Sequence, residues 1–224
     1  MNELIKVIDK GLGNDIKINK LNHKSINSSI HISGNNNVVY IESRVNVKDL
    51  KILIKGDNNT ILIKRGSIFK GGNISIGNNA KLEIGERANV GSGAVFFIDR
   101  ASAIWGNDIV AAEGLIMKTT ESYGIYDIST ETLLKSQDII VGDYVCLEQN
   151  VTLKKGCVVS AGTMITERSV LLDRTKHFEL WSGVPAKKTQ ENIIWSKSLN
   201  LKSINDDKTA KFYLDKYSDY IIKK

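Results

Sequence analysis

The sequence predicts an all-β solenoid, and three observations carry that prediction. From Val141 the chain reads V-G-D-Y-V-C, L-E-Q-N-V-T, L-K-K-G-C-V, V-S-A-G-T-M, I-T-E-R-S-V and then Leu171, so Val141, Leu147, Leu153, Val159, Ile165 and Leu171 fall six residues apart. Four residues after each of the first five comes something small or β-branched: Val145, Val151, Cys157, Thr163 and Ser169. Upstream, I-S-G-N-N-N-V-V-Y-I from Ile32, I-K-G-D-N-N-T-I-L-I from Ile54 and I-G-N-N-A-K-L-E-I from Ile76 form a looser repeat of 21 to 22 residues. Neither a helical period of 3.6 nor a plain strand period of 2 explains a strict six. A short strand, a bend and another short strand do. Three such units bring the chain back above its start, about one strand spacing (~4.8 Å) higher, and each coil buries its face against its neighbours.

Taken in order, residues 1–29 read as an N-terminal segment and residues 30–183 as the solenoid. Gly-Asn and Gly-Asp pairs tolerate positive φ and mark its corners. I-G-E-R-A-N from Ile84, V-G-S-G-A-V from Val90 and then Phe96 keep the six. Trp105 is too large for an inward corner, so either Ile104 points inward or the coil bulges there. A break at residues 125–138 interrupts the hexads. Residues 184–224 form a tail, in which Ser203 to Lys224 reads as a helix: Asp206 and Asp207 stand near its start, Ala210, Leu214, Tyr217 and Ile221 share one face, and Lys223 and Lys224 close it. Its expected role is that of a cap or packing helix, since solenoid ends must be covered; membrane attachment through Phe212, Tyr213 and Tyr220 is the weaker alternative.

Composition narrows the function classes. A chain of 224 residues with 25% charged and 42% apolar residues fits one soluble domain with a tail. The net charge of +6 comes without any dense Lys/Arg run interleaved with aromatics, which leaves a nucleic-acid partner unsupported. The first 25 residues lack the apolar core of a signal peptide and no run of 18 apolar residues occurs, so a cytoplasmic protein with no transmembrane segment is expected. Cys146 and Cys157 have no metal-ligand spacing, and no metal is expected.

The hexads, the interruption from Ile125 to Gln137 and the closing S-G-V-P-A-K (Ser182 to Lys187) followed by E-N-I-I-W resemble the hexapeptide-repeat acyltransferases, particularly the sugar and surface-polysaccharide O-acetyltransferases. The resemblance implies a left-handed parallel β-helix and a homotrimer. It also implies acetyl-CoA as acyl donor in a cleft between subunits, and a sugar or polysaccharide acceptor. The family segment S-D-x-H-x-I-x-D corresponds to T-E-S-Y-G-I-Y-D, in which Ile125 and Asp127 match, Glu121 stands for the first acid and Tyr123 occupies the position of the general-base histidine. The family's H-V-W-I-G becomes Y-V-C-L-E, Tyr144 to Glu148. The resemblance therefore sets Asp127, Tyr144 and Glu148 beside the acceptor. S-A-G-T, residues Ser160, Ala161, Gly162 and Thr163, matches the strip along the pantetheine arm, and Lys187 and Lys188 of P-A-K-K match the segment that meets the CoA phosphates.

General-base assistance contributes about 10²–10⁴ in rate and works best when the base titrates near the working pH. A phenol, with an ordinary pKa of about 10, is a poor base at neutrality. Of the three histidines, His23 and His31 lie far upstream and read as solvated or capping residues, while His177 sits in D-R-T-K-H-F-E-L-W, an insertion relative to the family. His177 is the candidate replacement base, with Glu121 and Glu148 as acidic alternatives. No nucleophile elbow supports a Ser-His-Asp reading, and histidines at 23, 31 and 177 do not supply the zinc set of a γ-type carbonic anhydrase. Two functions follow: an O-acetyltransferase with a relocated or unassisted base, or a catalytically inactive trimeric scaffold.

Overall fold

In a computed structural model of the chain, which describes residues 5–121 and 123–221, three parallel sheets wind around one core. The first face stacks Lys6–Asp9, Ser29–Ile32, Leu50–Ile54, Gly72–Ile76, Ala94–Ile98, Ile116–Lys118, Thr152–Lys154 and Val170–Leu171. The second face runs from Asp15–Ile18 to Val158–Val159, and the third from Lys24–Ile26 to the hairpin Leu180–Gly183 with Ala186–Gln190. Alternation in each strand sends every second side chain inward: Ile30 and Ile32, Val39 and Ile41, Ile52 and Ile54 are all buried. The hexad residues behave as the spacing predicts, because Val141, Leu147, Leu153, Val159, Ile165 and Leu171, with their partners Val145, Val151, Cys157, Thr163 and Ser169, line the core.

The G-N-N corners carry a ladder of amides. Asn37 donates through its side chain to Asn14 Oδ1 (3.0 Å), Asn59 donates likewise to Asn37 Oδ1 (2.9 Å), and the Ala80 N–H donates to Asn59 Oδ1 (2.8 Å). Buried polar groups are thus satisfied coil by coil. The residue that turns each corner has positive φ, including Asn36 (55°), Asn58 (58°) and Asn79 (47°).

Four expectations change. The solenoid starts at Lys6 and not near residue 30, since Lys6–Asp9 pairs in parallel register with Ser29–Ile32 and Asp15–Ile18 with Val38–Ile41. This first coil has a neighbour on one side only, and its Ile16 and Ile18 are partly buried, so its hydrophobic period is weak. His23 is not solvated: it is buried at an inward corner, and both its ring nitrogens and the nearby Ser25 hydroxyl lack hydrogen-bond partners among the described residues. Trp105 points inward in place of Ile104, beside Phe96 at 5.7 Å between centroids.

The fourth change concerns the C-terminal helix. It spans Lys208–Lys216, preceded by a 3-10 turn Ile204–Asp206, and Asp207 caps it by accepting the Thr209 and Ala210 N–H groups. It is shorter than the expected Ser203–Lys224, and of the two expected roles, cap or packing helix, it takes the second, on the corner between the second and third faces. Ala210 and Tyr213 are its buried residues, stacked with Tyr144 and Trp195. Tyr213 donates its hydroxyl to Asp108 (2.6 Å), which removes it from any membrane-facing role. Lys223 and Lys224 lie outside the described residues. No helix among the described residues is long and apolar enough to cross a membrane.

Candidate functional site

The hexads break where the chain leaves the first face after Lys118 and reaches the second face at Ile139. Register across this break jumps from 21 residues (Val95↔Ile116) to 36 (Ile116↔Thr152). The excursion folds as a short hairpin, Tyr126–Asp127 against Thr132–Leu133, and the Gln137 N–H donates to the Thr119 carbonyl (2.9 Å) at its neck. Between the loop and the solenoid lies a pocket whose wall includes Phe97, Arg100, Glu121, Tyr123, Ile125 and Lys155. Tyr123 is 87% exposed at its mouth.

The charges here are arranged unevenly. Glu121 accepts from Lys154 Nζ at 3.0 Å. That hydrogen bond holds its carboxyl below the usual carboxylate range, with burial opposing and the charges of Lys154, Lys155 and Lys118 assisting. Arg100 pairs with Asp99 (2.7 Å). Lys155 reaches the same pocket with no ion pair among the described residues. Asp127 is spent on the loop's own turn: it accepts the N–H groups of Ser129 (2.8 Å) and Thr130 (3.0 Å) and the Ser129 hydroxyl. The side chain expected beside the acceptor is therefore a turn former.

The other sequence candidates lie elsewhere. Tyr144, only 2% exposed, stacks on Trp195 (4.2 Å) and Tyr213 (5.0 Å), donates its hydroxyl to the Trp195 carbonyl (2.9 Å) and accepts the Trp195 indole N–H at its own carbonyl (2.9 Å). With its faces and polar groups occupied within the chain, it anchors the tail. Cys146, at the family's tryptophan position, faces the same side with its thiol pushed up to about 12 by burial. Glu148 accepts the Glu167 N–H (2.9 Å) on the third face, away from Tyr123.

The Ser160–Thr163 strip is covered. The Ser160 N–H and hydroxyl donate to Thr175 Oγ1 (2.8 Å) and to the Thr175 carbonyl (2.7 Å), and the Phe178 N–H donates to the Ala161 carbonyl (3.1 Å). Ala161, Gly162 and Thr163 are buried under this lid, and Ser160 lines a pocket with His177, Glu179 and Tyr220. The insertion D-R-T-K-H-F is what closes the strip. In this chain the backbone expected along the pantetheine arm is bonded to the inserted segment. Lys187 stands exposed on the closing hairpin, whereas Lys188 is held by Glu191 (2.8 Å) and Glu179 (3.7 Å).

His177 sits at the corner between the second and third faces, because Arg174 bridges to Val158 and Leu180 opens a third-face strand. Tyr123 occupies the corner between the first and second. One chain does not bring the two together. The His177 ring lies against Tyr220 (4.1 Å) and Tyr217 (5.1 Å); burial pushes its pKa below the usual imidazole value, and the Ala161 backbone offsets part of that shift. Tyr217 and Lys216 in turn donate to Asp143 at 2.8 and 2.6 Å. Burial works against ionisation of Asp143, but these donors and the Asn107 N–H outweigh it and hold the carboxyl low.

Phe97, Arg100, Lys154 and Lys155 were not singled out by sequence. Lys154 and Lys155 were visible as the corner of L-K-K-G-C-V, but their neighbours only become evident from coil stacking. No group of three or more potential metal ligands occurs among the described residues.

No protein-family model matches the chain. The polysialic acid O-acetyltransferase of Neisseria meningitidis is 27% identical over 208 residues, 92% of this chain and 96% of that protein. A protein of the same name from Escherichia coli O1:K1 / APEC is 31% identical over 154 residues, 68% of this chain and half of its own length. Among solved structures, the polySia specific acetyltransferase NeuO superposes with a TM-score of 0.89 at 30% identity, covering 95% of this chain and 98% of that one. The polysialic acid O-acetyltransferase OatWY superposes with a TM-score of 0.87 at 24% identity, a likeness of fold, over 94% of this chain.

Proposed function

Because this chain belongs to the family of the polysialic acid O-acetyltransferases and shares its left-handed β-helix, we propose that it moves an acetyl group from acetyl-CoA to a hydroxyl of a sialic-acid-containing surface polysaccharide. The observation that carries the reading is the end-to-end likeness to NeuO, together with the pocket that the loop forms around Tyr123. The acceptor oxygen attacks the thioester carbonyl, the carbon–sulfur bond breaks, and the hydroxyl proton ends on the CoA thiol. Tyr123 hydrogen-bonds the acceptor in this reading. Glu121 is the ionised group at hand to receive the proton, although its lowered pKa makes it a weak base. Transfer is therefore slower than with a histidine by up to about 10²–10⁴.

Lys187 is our assignment for the donor's phosphates, as an exposed point charge on the closing hairpin. A homotrimer is part of the proposal, since Tyr123 and His177 occupy different corners of one chain and a neighbouring copy is what could join them. Dependence on acetyl-CoA sets the reaction in the cytoplasm. The test mixes the protein with acetyl-CoA and polysialic acid and follows free thiol and ester formation on the polymer. Thiol release that rises with polymer concentration is expected; release indifferent to polymer, or none, rejects the transferase reading in favour of a scaffold.

A further inference from the structure

The outward positions of the first face form one continuous ladder. His31 is in register with Leu53, Leu53 with Ser75, Ser75 with Phe97, Phe97 with Lys118, and Lys118 with Lys154. Its upper end is the Tyr123 pocket, because Phe97 lines that pocket and Lys154 holds Glu121. Its lower end is a second, shallow groove lined by Ser29, His31, Lys51, Asn73 and Ser75. Five coil spacings separate the strands of His31 and Lys154, about 24 Å at one strand spacing each.

The chemistry of this surface differs from that of its neighbour. On the second face both strand lysines are neutralised, Lys17 by Asp15 (2.7 Å) and Lys81 by Glu83 (2.9 Å). On the first face the outward positions of the strands from Ser29–Ile32 to Thr152–Lys154 include no carboxylate. Lys51 in the groove and Lys55 at the adjoining corner make no ion pair among the described residues. Ser29 and Asn73 stand in register on either side of Lys51, the exposed Leu53 adds an apolar wall to the groove, and the Phe97 ring stands at the pocket end of the ladder.

We infer that the outer surface of the first face is a second binding site, a track for an anionic polysaccharide that runs from the groove at Lys51 to the Tyr123 pocket. Lys51 and Lys55, which make no ion pair among the described residues, supply attraction for the sugar carboxylates, Ser29, Asn73 and Ser75 supply partners for hydroxyls, and Phe97 supplies a flat apolar contact at the entrance. This rests on the proposed acceptor class, but it predicts binding as well as turnover.

The experiment compares the wild-type protein with Lys51→Glu/Lys55→Glu and with Ser75→Trp, which blocks the groove without changing charge. Binding of long-chain polysialic acid is measured calorimetrically without acetyl-CoA at low and at raised sodium chloride, and kcat and KM are measured for long chains and for short sialic acid oligomers. Reversing two lysines is expected to weaken long-chain binding about tenfold and to flatten its salt dependence. KM for long chains should rise alike, with kcat and the short-oligomer KM unchanged. Ser75→Trp should weaken long-chain binding at every salt concentration. If polysialic acid binds the wild type and both variants equally, or does not bind the wild type, the track is refuted. Binding that weakens as expected in a protein that transfers no acetyl group upholds the track and rejects the transferase reading.

Discussion

Gly162→Ala tests whether the Ser160–Thr163 strip belongs to the fold or to the acyl donor. Gly162 has φ of +73°, and a Cβ built there would stand 2.3 Å from Phe178 Cδ1 and 2.5 Å from Cε1. A non-glycine residue in the left-handed region costs about 1–2 kcal/mol. Phe178 is buried and its N–H is fixed to the Ala161 carbonyl, so the ring must leave its site, forfeiting roughly 1.5–3 kcal/mol of burial. The sum, roughly 2.5–5 kcal/mol, is a large part of the 5–15 kcal/mol typical of a domain. Because solenoids can unfold in sections, the assay pairs urea denaturation with hydrogen exchange of residues 158–182. Loss of protection confined to that segment is expected, and Gly162→Ala/Phe178→Ala should cost less than the sum of the single changes. The reasoning fails if Gly162→Ala unfolds within about 0.5 kcal/mol of the wild type. It fails equally if stability is kept while KM for acetyl-CoA rises, since the strip would then face the donor.

Three further outcomes follow from the same geometry. Tyr123→His should raise kcat for acetyl transfer by up to about 10²–10⁴, with little change in acceptor KM; an unchanged kcat would place proton removal elsewhere. Asp143→Ala removes the acceptor of Lys216, Tyr217 and the Asn107 N–H, at a cost of about 2–4 kcal/mol in helix docking, so limited proteolysis should release the tail first; uniform cleavage along the chain would contradict this. Burial lowers the pKa of both His23 and His177 in the folded protein. The unfolded chain then binds protons more readily below about 6.5, so stability should fall as pH drops through that value. His23→Val, which copies the Val45 of the next coil, should flatten the decline, and an unaltered pH profile would rule His23 out as its source.

How far the sequence alone carries can be judged from particular residues. The hexads from Val141 to Leu171 and the G-N-N corners were legible because a stacked coil repeats one local environment, so inward and corner positions recur at fixed intervals. The first coil was not legible, since His23 and Ser25 take inward positions where later coils have Val45 and Val47. The placement of Tyr144 was hidden for a different reason. Its partners Trp195 and Tyr213 lie 51 and 69 positions along the chain, and nothing local in Y-V-C-L-E signals that a tail returns to cover it. The loop motif disclosed Glu121 and Tyr123 as pocket residues, but the pairing of Glu121 with Lys154 depends on two strands being stacked across the inserted segment. Family pattern assigned the Ser-Ala-Gly-Thr strip to the donor, but that the Thr175–Phe178 segment folds over it is a contact between residues brought together by coil stacking, with no local signal.

The neck of the loop, where the Gln137 N–H meets the Thr119 carbonyl, has a consequence for how such a protein changes over time. With the two ends joined there, the seventeen intervening residues hang from the stack as a separable module. Coil register is carried by Ile116, Thr152 and their neighbours whatever the module contains. A substitution as drastic as a phenol for an imidazole therefore leaves folding untouched, and the chemistry at Tyr123 is free to drift, decay or be reinvented while the scaffold that presents it stays the same.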